Sequence, residues 1–161
     1  MAKNYWLMKS EPDVFGWDDL IKRPKKTEPW DGVRNYQARN IMRDKMEKGD
    51  LVFFYHSNFK PPHIAGIAKI VRESYPDPTQ FDPESHYFDP KATAEKPRWV
   101  VVDVEFVAHF EETLTLEELK ADPQLEGMLV TRKGQRLSIQ PVEAQHWRRC
   151  CRLARLDPKG L

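Results

Sequence analysis

The sequence predicts an α+β domain: a mostly antiparallel β-barrel of five to six short strands, with helices packed around it. Three observations carry this expectation. Trp99–Glu111 alternates apolar and polar residues, the period of a strand with one buried face. Behind Asn35, the residues Ala38, Ile41, Met42 and Met46 fall at spacings of three and four, which is the apolar stripe of a helix. Glycine and proline breaks separate such segments, and no internal repeat or second core is visible across the 161 residues. That length suits one domain, so residues 1–161 are expected to fold as a unit. Closing short strands into a barrel removes their exposed edges.

Taken in order, Asn4–Lys9 is expected to be the first strand and Asp18–Arg23 a short helix stopped by Pro24. Pro24–Pro29 is expected to be a charged loop. Asn35 can cap the next helix by accepting from a first-turn amide, and that helix runs to about Met46 before Gly49-Asp50. Leu51–Asn58 is an apolar, aromatic strand. After the Pro61-Pro62 break, Ile64–Val71 forms another, with Gly66 inside it marking a bulge or close backbone approach. Tyr75–Pro97 carries five prolines and is expected to be a long irregular excursion, a kind of segment that is usually functional or mobile. In Trp99–Glu111, Val100, Val102, Val104, Phe106, Ala108 and Phe110 share one face. Thr115 and Glu118 form a capping-box pattern for a short helix. Leu125–Thr131 is ambiguous between strand and helix. Arg136–Gln140 is the last strand, and Val142 to about Arg152 is a closing helix that buries Trp147 and Cys151.

The net charge of +1 argues against bulk polyanion binding. Lys22, Arg23, Lys25 and Lys26 cluster early, and Arg148, Arg149, Arg152, Arg155 and Lys159 late, so a modest basic rim around a specific pocket is possible. No apolar run reaches the roughly 20 residues of a membrane span, and no signal-peptide core follows Met1. A cytoplasmic protein is expected, or a nuclear one in a eukaryote. Cys150 and Cys151 are adjacent, an arrangement poorly suited to a disulfide, and are expected to be reduced thiols. No glycine-rich phosphate loop occurs. The five histidines show no metal-ligand spacing, so neither metal nor cofactor is expected.

Three clusters place polar groups at the ends of apolar segments: Tyr5–Pro12, Trp30–Asn40 and Gly49–Ser57. Trp30 lies in a Pro/Asp/Gly loop, where a flat aromatic could stack on a nucleobase. Ser10, Asn35 and Ser57 could read the base's edge, since a flipped or unpaired base is held by stacking plus edge contacts. Each residue also has a structural alternative. Trp30 could pin its loop as a core aromatic, Asn35 could serve only as a helix cap, and Ser57 could merely terminate a strand.

The runs Lys9-Ser10-Glu11-Pro12, Trp30–Asn40 and Gly49–Ser57 resemble the signatures of the EVE domain, as do Ser74–Asp77, Trp99–Val104 and Arg136–Val142. The similarity extends from about Asn4 to Cys150 in unbroken order. The resemblance implies a PUA-like pseudo-barrel and kinship with YTH domains, which hold a methylated adenine in an aromatic cage. A YTH first strand also ends in Lys-Ser with a cage tryptophan in the following loop, features that map onto Lys9-Ser10 and Trp30. The second cage position has four candidates, Tyr75, Tyr87, Phe88 and Trp99, and Trp99 is placed in the expected set. EVE domains are associated with modified bases, especially modified cytosines in DNA.

The expected function is therefore non-catalytic binding of nucleic acid, DNA or RNA, through a modified cytosine or methyladenine flipped into an aromatic pocket. Trp30 would stack, and Ser10, Asn35 and Ser57 would contact the edge, with His56 nearby. Lys9, Arg34 and Arg39 would meet phosphates. The alternative is a small amidohydrolase acting on a modified nucleoside, as in ASCH-type relatives, with Lys9 and Glu11 as nucleophile or acid–base pair. A protein-interaction module using the proline-rich loop is a third reading.

Overall fold

The computed structural model describes residues 4–161; the start of the expected domain, residues 1–3, lies outside the described residues. Six strands form one sheet: β1 (Tyr5–Ser10), β2 (Thr27–Pro29), β3 (Leu51–His56), β4 (His63–Pro76), β5 (Val100–Thr115) and β6 (Ile139–Pro141). Their order is β2-β5-β4-β3-β1-β6, and only β1 and β3 run parallel. The short strands β2 and β6 are the two ends of this order. The sheet is therefore an open pseudo-barrel, not a hydrogen-bonded closed one.

The helices are α1 (Pro12–Phe15), α2 (Trp17–Lys22), α3 (Tyr36–Asp44), α4 (Leu116–Ala121) and α5 (Ala144–Leu153). Asn35 caps α3, its side chain accepting from the Ala38 amide, and Thr115 with Glu118 forms the capping box of α4. The ambiguous stretch from 125 to 131 resolves into two 3-10 turns, and the expected strand from 136 shortens to β6.

Every residue of β3 from Leu51 to Tyr55 is buried, because each face of the sheet carries a core. Val52 and Phe54 join Trp17, Leu20, Trp30, Ala38 and Met42 on one face. Leu51, Phe53 and Tyr55 join Trp147, Cys150 and Cys151 on the other, where Phe53 stacks on Trp147 at 3.8 Å between centroids. Both cysteines are free and buried, and burial pushes their thiols up to about 12.

Two expectations need correction here. The loop from 24 to 29 ends in β2, which pairs with β5 through Glu28↔Val104. The apolar residues of β5 do not keep one face. Val100, Val102, Val104 and Phe106 pack on the first core, whereas Ala108, Phe110 and Leu114 pack on the second. Register shifts against β4 turn residues of the same parity to the opposite side. Gly66 sits at one of these shifts. A Cβ there would come within 2.3 Å of the Trp17 ring and 2.7 Å of the Ala108 carbonyl oxygen.

The excursion after β4 starts at Asp77 and is firmly tied. Buried Gln80 donates from Nε2 to the carbonyls of Asp77 and Trp99 and accepts at Oε1 from the amides of Arg98 and Trp99. One amide side chain thus closes the base of a loop more than twenty residues long. The loop can then present side chains at a fixed place.

Candidate functional site

Where β1 ends, α1, the β2–α3 loop and the tied excursion meet around a cavity of about 570 Å³, an ordinary size for a small-ligand pocket. A larger hollow of about 820 Å³ beside α4 has no aromatic side chain in its wall. The smaller cavity has Phe15, Trp30 and Tyr87, together with Lys9, Glu28, Asp31 and Arg34.

Trp30 is anchored by its amide on the Val102 carbonyl and packs edge-on with Phe54, centroids 5.3 Å apart at 79°. It is 8% exposed, so it belongs to the core and to the cavity wall at once. The indole nitrogens of Trp6, Trp17 and Trp99 donate to Asp50, His109 and Asp89. Among the described residues, Trp30 Nε1 has no such acceptor, and it is not a sealed, unsatisfied atom.

Gly32 lets Tyr87, another aromatic of the lining, approach. Its φ is +78°, and a Cβ on it would lie 2.6 Å from Cζ of the Tyr87 ring. Tyr87 is held there through its carbonyl, which accepts from Nε and Nη2 of Arg34 at 3.0 and 2.7 Å. Asp77, fully buried, secures both partners: Oδ2 accepts from the Gly32 amide and Arg34 Nη1, each at 3.0 Å, and Oδ1 accepts from Thr79.

Two carboxyls in the wall are perturbed. Burial raises Asp31 above the usual aspartate range, the Asp77 carboxylate adds to the rise and Arg34 opposes it. Burial likewise raises Glu28, against its ion pair with Arg23 at 3.2 Å. On the cationic side, burial lowers the Lys9 ammonium, which donates to the Gln135 carbonyl at 3.3 Å.

The EVE-domain sequence profile matches residues 4–153. This chain belongs to the EVE-domain family. Thymocyte nuclear protein 1 of Mus musculus is similar to it, 46% identical over 89% of this chain and 70% of the relative. The crystal structure of a Pseudomonas syringae protein matches it at 52% identity and TM-score 0.87, covering 93% of this chain and 99% of that one. Human THYN1, solved in complex with 5-methylcytosine-containing DNA, matches at 43% identity and TM-score 0.89, covering 97% and 100%. A YTH domain of Zygosaccharomyces rouxii, at 14% identity and TM-score 0.53, shares the fold.

Within this EVE domain the structure brings Lys9, Ser10, Trp30 and Arg34 to the cavity and leaves the other expected residues outside it. Ser10 reaches the wall, but its hydroxyl donates to the Phe15 carbonyl at 2.6 Å and so fastens α1. The Asn35 side chain is occupied by its cap. Ser57 meets Ser10 through its backbone amide. Trp99 is 5% exposed beneath Tyr36, and Arg39 lies over Tyr36, with Nη1 on the Arg98 carbonyl. Of the four aromatics considered for the second cage position, Tyr87 lines the cavity. Sequence reasoning missed Asp31, Glu28 and Asp77 as site residues. The only local sign was an acidic residue beside Trp30 in a glycine turn.

His56 lies behind the site in a hydrogen-bonded chain. The Trp17 amide can only donate, so His56 Nε2 accepts it at 3.0 Å. Nδ1 of His56 then carries the proton and donates to His63 Nε2 at 3.0 Å, and His63 Nδ1 donates to the Pro61 carbonyl at 2.8 Å. The chain works only with both rings neutral. Burial, reinforced by His63 and opposed by Asp18, takes His56 down to about 4. The unfolded chain protonates near 6.5 and so binds more protons than the folded one between there and about 4. Stability is therefore expected to fall as pH drops through that window. Thermal denaturation between pH 7 and 4 measures it, and His56→Gln, which keeps an acceptor for Trp17, should flatten the dependence.

Among the described residues no three His, Cys, Asp or Glu side chains gather as a metal site, and no helix is long and apolar enough to cross a membrane.

Proposed function

We propose that this EVE domain binds nucleic acid by taking one flipped-out modified base, a modified cytosine foremost, into the cavity between Trp30 and Tyr87. The carrying observation is the wall itself: the aromatic side chains of Phe15, Trp30 and Tyr87 and the acceptor carboxyls of Glu28 and Asp31 line one cavity of about 570 Å³. A base is recognised by stacking on its faces and hydrogen bonding at its edge. Cytosine offers an exocyclic amino donor, which carboxylates accept, whereas thymine offers a carbonyl in its place. The Asp31 and Glu28 carboxyls are suited to the amino group and would oppose a carbonyl. The solved complex of human THYN1 with 5-methylcytosine-containing DNA supports the same ligand class.

The reading is binding without a chemical step. Lys9, the nucleophile of the hydrolase reading, already donates to the Gln135 carbonyl, and the Ser10 hydroxyl is spent on Phe15. With net charge +1, binding should be weak for a plain base and modestly salt-dependent.

The test compares oligonucleotides that differ at one position: 5-methylcytosine, cytosine or thymine. Thymine keeps the methyl group and loses the amino donor. Wild-type protein is expected to favour 5-methylcytosine over thymine by about tenfold or more, which corresponds to 1.4 kcal/mol. Asp31→Asn, which keeps the side-chain shape, should narrow that ratio. Equal affinity of the wild type for 5-methylcytosine and thymine would sink the acceptor assignment.

A further inference from the structure

Beside the cavity lies a second aromatic and cationic group that the pocket does not use. Tyr36, the first residue of α3, is 50% exposed and stacks on Trp99 with centroids 4.8 Å apart and planes 28° apart. The guanidinium of Arg39 lies 4.7 Å from the Tyr36 centroid, and Arg98 Nη1 meets the Tyr36 hydroxyl at 3.4 Å.

The two arginines differ from their neighbours in the company they keep. Arg23, Arg34, Arg43 and Arg149 each pair with a carboxylate. The hydrogen-bond partners of Arg39 and Arg98 are neutral: the Arg98 carbonyl, the Asn40 side chain and the Tyr36 hydroxyl. Asp44 and Asp89 feel these charges only at longer range. A solvated surface patch explains exposed arginines, but it does not account for a half-exposed ring set between two of them.

The patch is continuous with the cavity. Arg34 lines the cavity and lies 5.4 Å from the Trp99 centroid. Tyr36 is thus one stacked ring beyond a wall residue, and two residues along the chain from it is the wall itself.

We propose that Tyr36, Arg39 and Arg98 form a ledge for the nucleotide adjoining the flipped base. The neighbouring base stacks on the Tyr36 ring once Arg39 swings from it to the phosphate, and Arg98 takes the same phosphate from the other side. Stacking on an aromatic is indifferent to base identity, and guanidinium contacts to phosphate carry no sequence information. The ledge therefore adds affinity for the strand while the cavity supplies discrimination. This rests on the cavity being the base site.

The test titrates short oligonucleotides carrying one central 5-methylcytosine or cytosine, and free 5-methylcytidine, against wild type, Tyr36→Leu and Arg39→Gln/Arg98→Gln. Leucine retains an apolar cover for Trp99, and circular dichroism checks that the variants are folded. Tyr36→Leu is expected to weaken both oligonucleotides equally, by about tenfold, and to leave the nucleoside and the 5-methylcytosine preference unchanged. In the double variant the slope of log affinity against log salt should become shallower by about 0.7 for each lost phosphate contact on a single strand. Unchanged oligonucleotide affinity in both variants overturns the ledge while leaving the cavity intact. Loss of the 5-methylcytosine preference in Tyr36→Leu also overturns it, because the residue would then belong to base recognition. Wild-type protein that shows no 5-methylcytosine preference instead overturns the cavity reading on which the ledge rests, a failure distinct from unchanged oligonucleotide affinity in the variants.

Discussion

Asp77→Ala should lower the unfolding free energy by about 3–5 kcal/mol, the usual consequence of removing one partner of a buried, hydrogen-bonded ion pair. Asp77 is fully buried. Its two oxygens satisfy the Gly32 amide, Arg34 Nη1, and the amide and hydroxyl of Thr79. Alanine leaves a part-buried guanidinium and two amides without their acceptor. Urea denaturation measures the loss, with the midpoint falling and the slope unchanged if the denatured state is unaffected. Asp77→Asn, which keeps one acceptor oxygen, should fall between. A double-mutant cycle with Arg34→Leu should show coupling of at least 0.5 kcal/mol, since the two residues share one network. A loss below about 1 kcal/mol for Asp77→Ala would mean that the carboxylate is not the support of the cavity wall.

Gly32→Ala should damage the site and the fold together. At φ +78° any side chain is strained, typically by about 1–3 kcal/mol. In addition the new methyl would sit 2.6 Å from the Tyr87 ring, so the ring must leave its place in the wall. Gly49→Ala separates the two effects: φ there is +97° and nothing lies within 4 Å of the added carbon. Both variants should lose stability through the backbone strain, Gly32→Ala the more because of its clash with Tyr87, and only Gly32→Ala should lose base discrimination. If both bind alike, Tyr87 is not a wall of the base site.

Most of the elements were visible as sequence patterns because local physics sets them. The stripe of α3, the Asn35 cap and the capping box at Thr115 are decided within one turn. The burial of β3 follows from five consecutive apolar or aromatic residues. By contrast, β2 is three residues of mixed polarity that become a strand only because β5 lies alongside. The face switch in β5 depends on bulges against β4, which no alternation pattern contains.

The site divides in the same way. Lys9, Ser10, Trp30 and Arg34 could be placed because two short segments, the end of β1 and the loop after β2, carry them. Tyr87 could be only one of four candidates. Its position depends on Gln80 closing a long loop and on Arg34 holding a carbonyl 53 residues away in sequence. Asn35, Ser57 and Trp99 have side-chain types suited to a base site, yet their surroundings commit them to a helix cap, a strand end and a buried stack. The identity of a residue does not disclose whether its hydrogen bonds are already spent.

The most direct test of the central claim is a fluorescence titration of wild type and Tyr87→Ala with matched oligonucleotides carrying 5-methylcytosine or cytosine. Truncating Tyr87 leaves its carbonyl on Arg34, and circular dichroism checks that the variant is folded. At least about a tenfold preference for 5-methylcytosine is expected in the wild type, and its loss in the variant. A wild type that binds both alike, or a folded variant that keeps the preference, would contradict the claim.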